Sequence, residues 1–224
     1  FGRDQTFFRL LFLKRNRAKA QEIQEQSQEI VKKLAPCLKT DDLCGQKPDP
    51  QTGFFDPKHT PLHNVMEQSL EMLDQSLKMQ GELANVDRSV IKDALEVPQS
   101  AIQTKAMMIL FHRGDKDLVM RHAEKFKGQA KANYLKIASG HLSPQEFSRE
   151  VIKSIDKNDP ATNLKVIEVL PEIKLSRSTA KEVAKKSCYV KDDSTNSSNI
   201  IYEQKVKAWV DGYNINFNKL CSKK

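Results

Sequence analysis

An all-α fold, built of irregular helical hairpins that form an α-solenoid or a helical bundle with a long N-terminal helix, is what this sequence predicts. Three observations carry that expectation. Glycine is scarce, with eight residues in 224, which argues against a β-rich or loop-rich fold. Charged residues reach 29% and aromatic residues only 7%, a balance that suits exposed helices better than a tightly globular enzyme. From about Pro98 to Ser187 the chain repeats one pattern three times: an apolar helix, a short break, then a more amphipathic segment.

The first of these units runs Gln103 to Phe111 and ends at Gly114, the second runs Gln129 to Ala138 and ends at Gly140, and the third runs Asp159 to Leu170 before Pro171. Their amphipathic partners are Leu118 to Phe126, Phe147 to Ile155, and Thr179 to Ala184. The offset is 26 residues from Ala106 to Ala132 and 32 from Ala132 to Leu164, a period that fits stacked helical hairpins rather than propeller blades. The third unit has Asp159-Pro160 at its start, Leu164-Lys165 in its middle, then Val169-Leu170 and Ile173. That pattern resembles the first helix of a HEAT repeat. The resemblance covers about a third of the chain and implies a helical array that serves as a binding surface. The Asp-Pro start also has a local reason: Asp caps a helix, and Pro suits the first turn, where the missing amide has no partner to lose.

In chain order, residues 5 to 35 read as one long helix, with apolar positions at Phe8, Leu11, Phe12, Ile23, Ile30, Val31 and Leu34. Pro36 is expected to stop or kink it. Its front is basic: Arg3, Arg9, Lys14, Arg15, Arg17 and Lys19 stand against one acid, Asp4. Leucine and aromatic side chains beside Lys and Arg are what an interfacial helix uses. Phe7, Phe8, Leu11, Phe12, Lys14, Arg15 and Arg17 are therefore a candidate membrane or partner contact. The alternative is that the apolar patch packs on the array and the cations are solvated. The domain reading is a basic N-terminal helix over 1–40, a Pro/Gly-rich loop over 41–60, and a helical array with a C-terminal capping helix over 61–224. Thr60-Pro61 starts the array's first helix, whose stripe is Leu62, Met66, Leu70, Leu73 and Leu77. A short helix from Ser89 to Leu95 follows. After the three hairpins comes a polar loop at 192–199, in which Asn196-Ser-Ser198 fits a glycosylation acceptor. A last helix from Ile200 then places Val206, Trp209, Val210 and Tyr213 on one side, as a cap for the array.

Four cysteines stand at 37, 44, 188 and 221, with no Cys-x-x-Cys pair. An even count with local partners points to Cys37–Cys44 and Cys188–Cys221 disulfides and an oxidising compartment; four reduced, buried thiols are the alternative. The sequence starts at Phe1, so a signal peptide or anchor is expected upstream. The most apolar stretch, Phe7 to Leu13, is far short of the roughly 20 residues needed to span a bilayer.

A formal net charge of +8 suggests an acidic protein, an anionic surface or nucleic acid. The basic residues are dispersed among acids such as Glu124, Glu146 and Glu150, which speaks against a nucleic-acid stripe. No Gly-rich phosphate loop, His-Glu-x-x-His or Gly-x-Ser-x-Gly is present. His59 and His63, with Asp56 and Glu67, have a spacing that could present metal ligands, but Pro61 separates them. His112-Arg113 at a helix end is explained by the helix dipole. The expectation is a non-enzymatic interaction or scaffold module of a bacterial envelope or secreted compartment. It needs no metal or cofactor, and its partner is another protein, one of the cell envelope. A basic, HEAT-like nucleic-acid-binding protein is the alternative.

Overall fold

The structure is a computed structural model that describes residues 2–40, 62–81, 85–191 and 197–222. These residues contain eleven α-helices and no strand. The chain divides into two compact units, residues 1–114 and 115–224. The sequence reading grouped 61–224 as one array. The division falls at Gly114 instead, because the helices of 62–95 pack on the long N-terminal helix and that of 100–112 packs on them. The first expected hairpin is thereby split, its two helices lying in different units.

The first unit holds α1 (Gly2–Leu38), α2 (Leu62–Gln80), α3 (Arg88–Leu95) and α4 (Ser100–His112). α1 packs on α2 and α3, and α4 packs on α2 and α3. On α2 the expected stripe is buried at Met66, Leu70, Leu73 and Leu77, while Leu62 is half-buried. α3 is capped by Asp87, whose carboxylate accepts from the Ser89 amide at 2.9 Å.

The stripe on α1 differs from expectation. Its buried face is Ala20, Gln24, Ser27, Val31, Ala35 and Leu38, whereas Ile23 and Leu34 are half-buried and Ile30 is exposed. Small residues let a neighbouring helix come close, so the interface follows Ala and Ser rather than the largest hydrophobes. The amide of Gln24 donates to the Asn85 carbonyl and its oxygen accepts from Gln80, the last residue of α2, at 2.8 Å. A second correction concerns Pro36: the helix continues through it to Leu38. So near the end, the lost amide bond removes little, and the next amides still pair, Lys39 N to the Ala35 carbonyl at 3.1 Å.

The second unit holds α5 (Lys116–Ala123), α6 (Gly128–Ala138), α7 (Pro144–Lys153), α8 (Pro160–Val169), α9 (Arg177–Lys186), α10 (Ser197–Asp211) and α11 (Phe217–Cys221). Its packing alternates. α6 lies on α8 and α8 on α10, while α7 lies on α9 and α9 on α11. The helix starts are written in the sequence. Ser143 and Glu146 form a reciprocal capping box at α7, with Pro144 at the first position. Asp159 accepts from the Thr162 amide at 3.0 Å ahead of Pro160, and Ser176 caps α9. The core is filled by Val119, Phe126, Tyr134, Leu135, Val151, Val166, Ile167, Val183, Tyr202 and Val206, all buried. α10 packs on α8 and α9.

Candidate functional site: a basic cleft closed by a disulfide

A cleft of about 610 Å³ opens in the second unit where three segments meet. The first turns of α9 supply Arg177, Ser178 and Lys181, the loop after α10 supplies Asn214, Ile215 and Asn216, and α11 supplies Lys219 and Leu220. Local rules bring each of them there. α10 ends in a Schellman motif: Ile215 N donates to the Val210 carbonyl at 3.2 Å and Asn214 N to the Asp211 carbonyl at 2.9 Å. Asn214 takes the left-handed conformation this requires, at φ 56°, and Asn is among the few non-glycine residues that adopt it readily. The turn aims two carbonyls at α9. Arg177 Nε donates to the Tyr213 carbonyl and Nη2 to the Asn214 carbonyl, both at 3.1 Å. The guanidinium is thus held by backbone, with its remaining N–H groups unspent.

α11 is fixed twice. The Asn216 side chain caps it by accepting from the Lys219 amide at 2.9 Å. At its other end Cys221 is bonded to Cys188, just past α9, with the Cα atoms 5.4 Å apart. The disulfide therefore holds Lys219 and Leu220 against the helix that carries Arg177 and Lys181.

The cleft's charge is unbalanced. No carboxylate lines it, and among the described residues none pairs with Arg177, Lys181 or Lys219. Several lysines elsewhere in the unit are matched: Lys116 with Glu146 at 2.8 Å, Lys136 with Glu172 at 2.6 Å, and Lys185 with Glu182 at 2.7 Å. The last pair is instructive, because Glu182 follows Lys181 directly but serves Lys185. The start of α9 adds the positive end of a helix dipole. What the cleft offers is positive charge and N–H donors around the aliphatic Ile215 and Leu220, an arrangement chemically suited to an anion.

Beside it lies a second hollow of about 570 Å³, lined by Ile167, Pro171, Trp209 and Tyr213 among others. Trp209 and Tyr213 meet edge to face at 5.6 Å, and the buried Trp209 Nε1 has no hydrogen-bond partner among the described residues. Tyr213 belongs to both places: its ring lines this hollow and its carbonyl holds Arg177.

Other buried ionisable groups are internally matched. Asp74, 5% exposed, is met by Lys78 Nζ at 2.5 Å and by His112 Nδ1 at 3.3 Å. Glu150 accepts from the Tyr134 hydroxyl at 2.8 Å. Burial, then the charge of Glu150, pushes the Tyr134 phenol up, and burial pushes the Lys131 ammonium down against the pull of Glu150. Lys131 donates to the Ala123 carbonyl.

Of the residues singled out in the sequence, Cys188 and Cys221 are joined as expected. Cys37 is disulfide-bonded, and Cys44 lies outside the described residues. Phe7, Phe8, Leu11, Phe12, Lys14 and Arg15 lie within α1, and Arg17 is exposed. His63 and Glu67 sit one turn apart on α2, while Asp56 and His59 lie outside the described residues. Asn196 also lies outside them. His112 does more than meet a helix dipole, since it faces Asp74. Among the described residues no helix is long and apolar enough to cross a membrane. Arg177, Lys181 and Lys219 were not singled out in the sequence. The readable signal was a pair of cations four apart at a capped helix start; Lys219, 38 residues on from Lys181, gives none.

No protein-family model matches the chain, and no curated protein or solved structure matches it.

Proposed function

We propose that this protein is a non-enzymatic interaction module of an oxidising compartment, the bacterial periplasm or a secreted space, and that it binds another protein through the second unit. One observation carries the reading: a cleft with three cations that no carboxylate of the described residues meets, held in shape by a disulfide. A cation without an internal partner contributes little to folding, whereas it is ready for an external anion. The alternation of α6, α8 and α10 against α7, α9 and α11 supports the HEAT-like reading of this unit, since stacked hairpins pack like helix on like helix. A disulfide that closes the last helix supports the compartment, because such bonds do not persist in a reducing cytosol. The basic front of α1, with Phe7, Phe8, Leu11 and Phe12 among Lys14, Arg15 and Arg17, is proposed as a second contact, toward a membrane surface or the same partner.

Capture from the native envelope fraction tests the reading. The full chain with its disulfides intact, photo-cross-linked at Ser178 in the cleft, should recover a defined protein at stoichiometric yield. Recovery of nothing but nucleic acid would replace this reading with the basic nucleic-acid-binding alternative.

A further inference from the structure

The cleft's lining says more than that an anion binds. Resting on the interaction-module reading above, we propose that its ligand is an acidic peptide segment of the partner, with side-chain carboxylates seated on Arg177, Lys181 and Lys219. Arg177 presents a planar fork whose orientation is set by the Tyr213 and Asn214 carbonyls, and such a fork matches a carboxylate in a two-point contact. Lys181 lies one helical turn further along α9, and Lys219 comes from a separate helix, so the cleft offers three separate cations to one ligand. An acidic peptide carries several carboxylates and can meet each of them.

Two further features suit a peptide. Asn214 and Asn216 line the cleft; the side-chain oxygen of Asn216 is engaged in capping α11, and its N–H₂ remains to meet a main-chain carbonyl. Ile215 and Leu220 form an apolar floor for the aliphatic part of Glu or for a neighbouring small residue. The cleft also depends on oxidation. Lys219 and Leu220 precede Cys221 directly, so the Cys188–Cys221 bond keeps the third cation opposite the first two.

The test uses the oxidised full-length protein and a fluorescein-labelled peptide, Gly-Asp-Glu-Asp-Glu-Gly, with binding read by anisotropy. The K181E/K219E variant reverses two exposed charges and should lose at least about tenfold in affinity, at about 1.4 kcal/mol per tenfold. K125E/K174E carries the same change in net charge on exposed lysines outside the lining and should bind as the wild type does. R177K keeps the charge but loses the fork, and should weaken binding while leaving the far-ultraviolet circular dichroism unchanged. Equal losses in K181E/K219E and K125E/K174E would overturn the proposal, because the attraction would then be diffuse. Tighter binding of inorganic tripolyphosphate than of the peptide would overturn it in favour of a phosphate site. The two levels of the reading can fail separately. A partner captured equally well by wild type and K181E/K219E keeps the interaction module and removes this cleft from it. Peptide binding at the cleft with no partner captured from the envelope fraction keeps the cleft chemistry and removes the module.

Discussion

Glu146 shows how much one position can do in this chain. Its carboxylate accepts from Lys116 Nζ at 2.8 Å, from the Ser143 hydroxyl at 2.7 Å and from the Ser143 amide at 2.9 Å. All three favour the ionised form, and the Lys116 contact, followed by Ser143, holds the group down to about 2 from an ordinary 4.5. The sign of the linkage follows. A depressed folded-state value means stability that is fully present above the unfolded value, near 4.5, and that is lost as pH falls through about 2. The capping box of α7 should therefore weaken across that acid window and be indifferent to pH above it. Carbonyl-detected titration of Glu146 should show the depressed value in the wild type and a rise toward 4.5 in Lys116→Met. An unchanged value in that variant would assign the effect to Ser143 alone. Arg177 makes a parallel point for binding, since two backbone carbonyls fix its direction before any ligand arrives.

At the scale of elements, helix starts are local and helix faces are not. Asp87, Ser143, Asp159 and Ser176 cap helices from within a few residues, and each is readable in the sequence. The buried face of α1 is set instead by what lies against it, and so the small residues Ala20, Ser27 and Ala35 are inside while Ile30 is out. α11 has only five residues, too few to persist as a free helix, and it relies on the Asn216 cap and the Cys188–Cys221 bond. Closing a loop with a sequence separation of 33 residues should contribute about 3–4 kcal/mol through the unfolded chain. The paired Cys188→Ser and Cys221→Ser substitutions should lower stability by about that amount in urea titration and speed amide exchange in α11 first. If exchange in α11 stays as slow as in α9, the cap and packing suffice and the bond's role in shaping the cleft is lost.

For the molecule as a whole, charge is the property with the longest reach. The formal net charge of +8 would attract nucleic acid if it were gathered, but in the second unit Lys116, Lys136, Lys165 and Lys185 are each paired with a glutamate. Ion-paired lysines displace few counterions from a duplex. Binding to a labelled 30-base-pair duplex should be micromolar or weaker at physiological salt, with no preference for sequence or damage. A log–log salt slope of several together with tight, damage-dependent binding would reverse the order of the two functional readings.

What the sequence by itself determined is whatever depends on near neighbours. Scarce glycine and helical periodicity give the all-α class, and Asp159-Pro160 gives a helix start. The placement of the cysteines suggested the Cys188–Cys221 pairing that the structure contains. What only the tertiary structure decided is whatever joins distant segments. The break between units at Gly114 depends on which helices share a core. The basic cleft depends on a turn at Asn214 that carries carbonyls to Arg177, and on α11 being folded back to bring in Lys219. The physical reason is range: caps and periodicity act over one or two helical turns, whereas a cleft is made by side chains that only packing brings together.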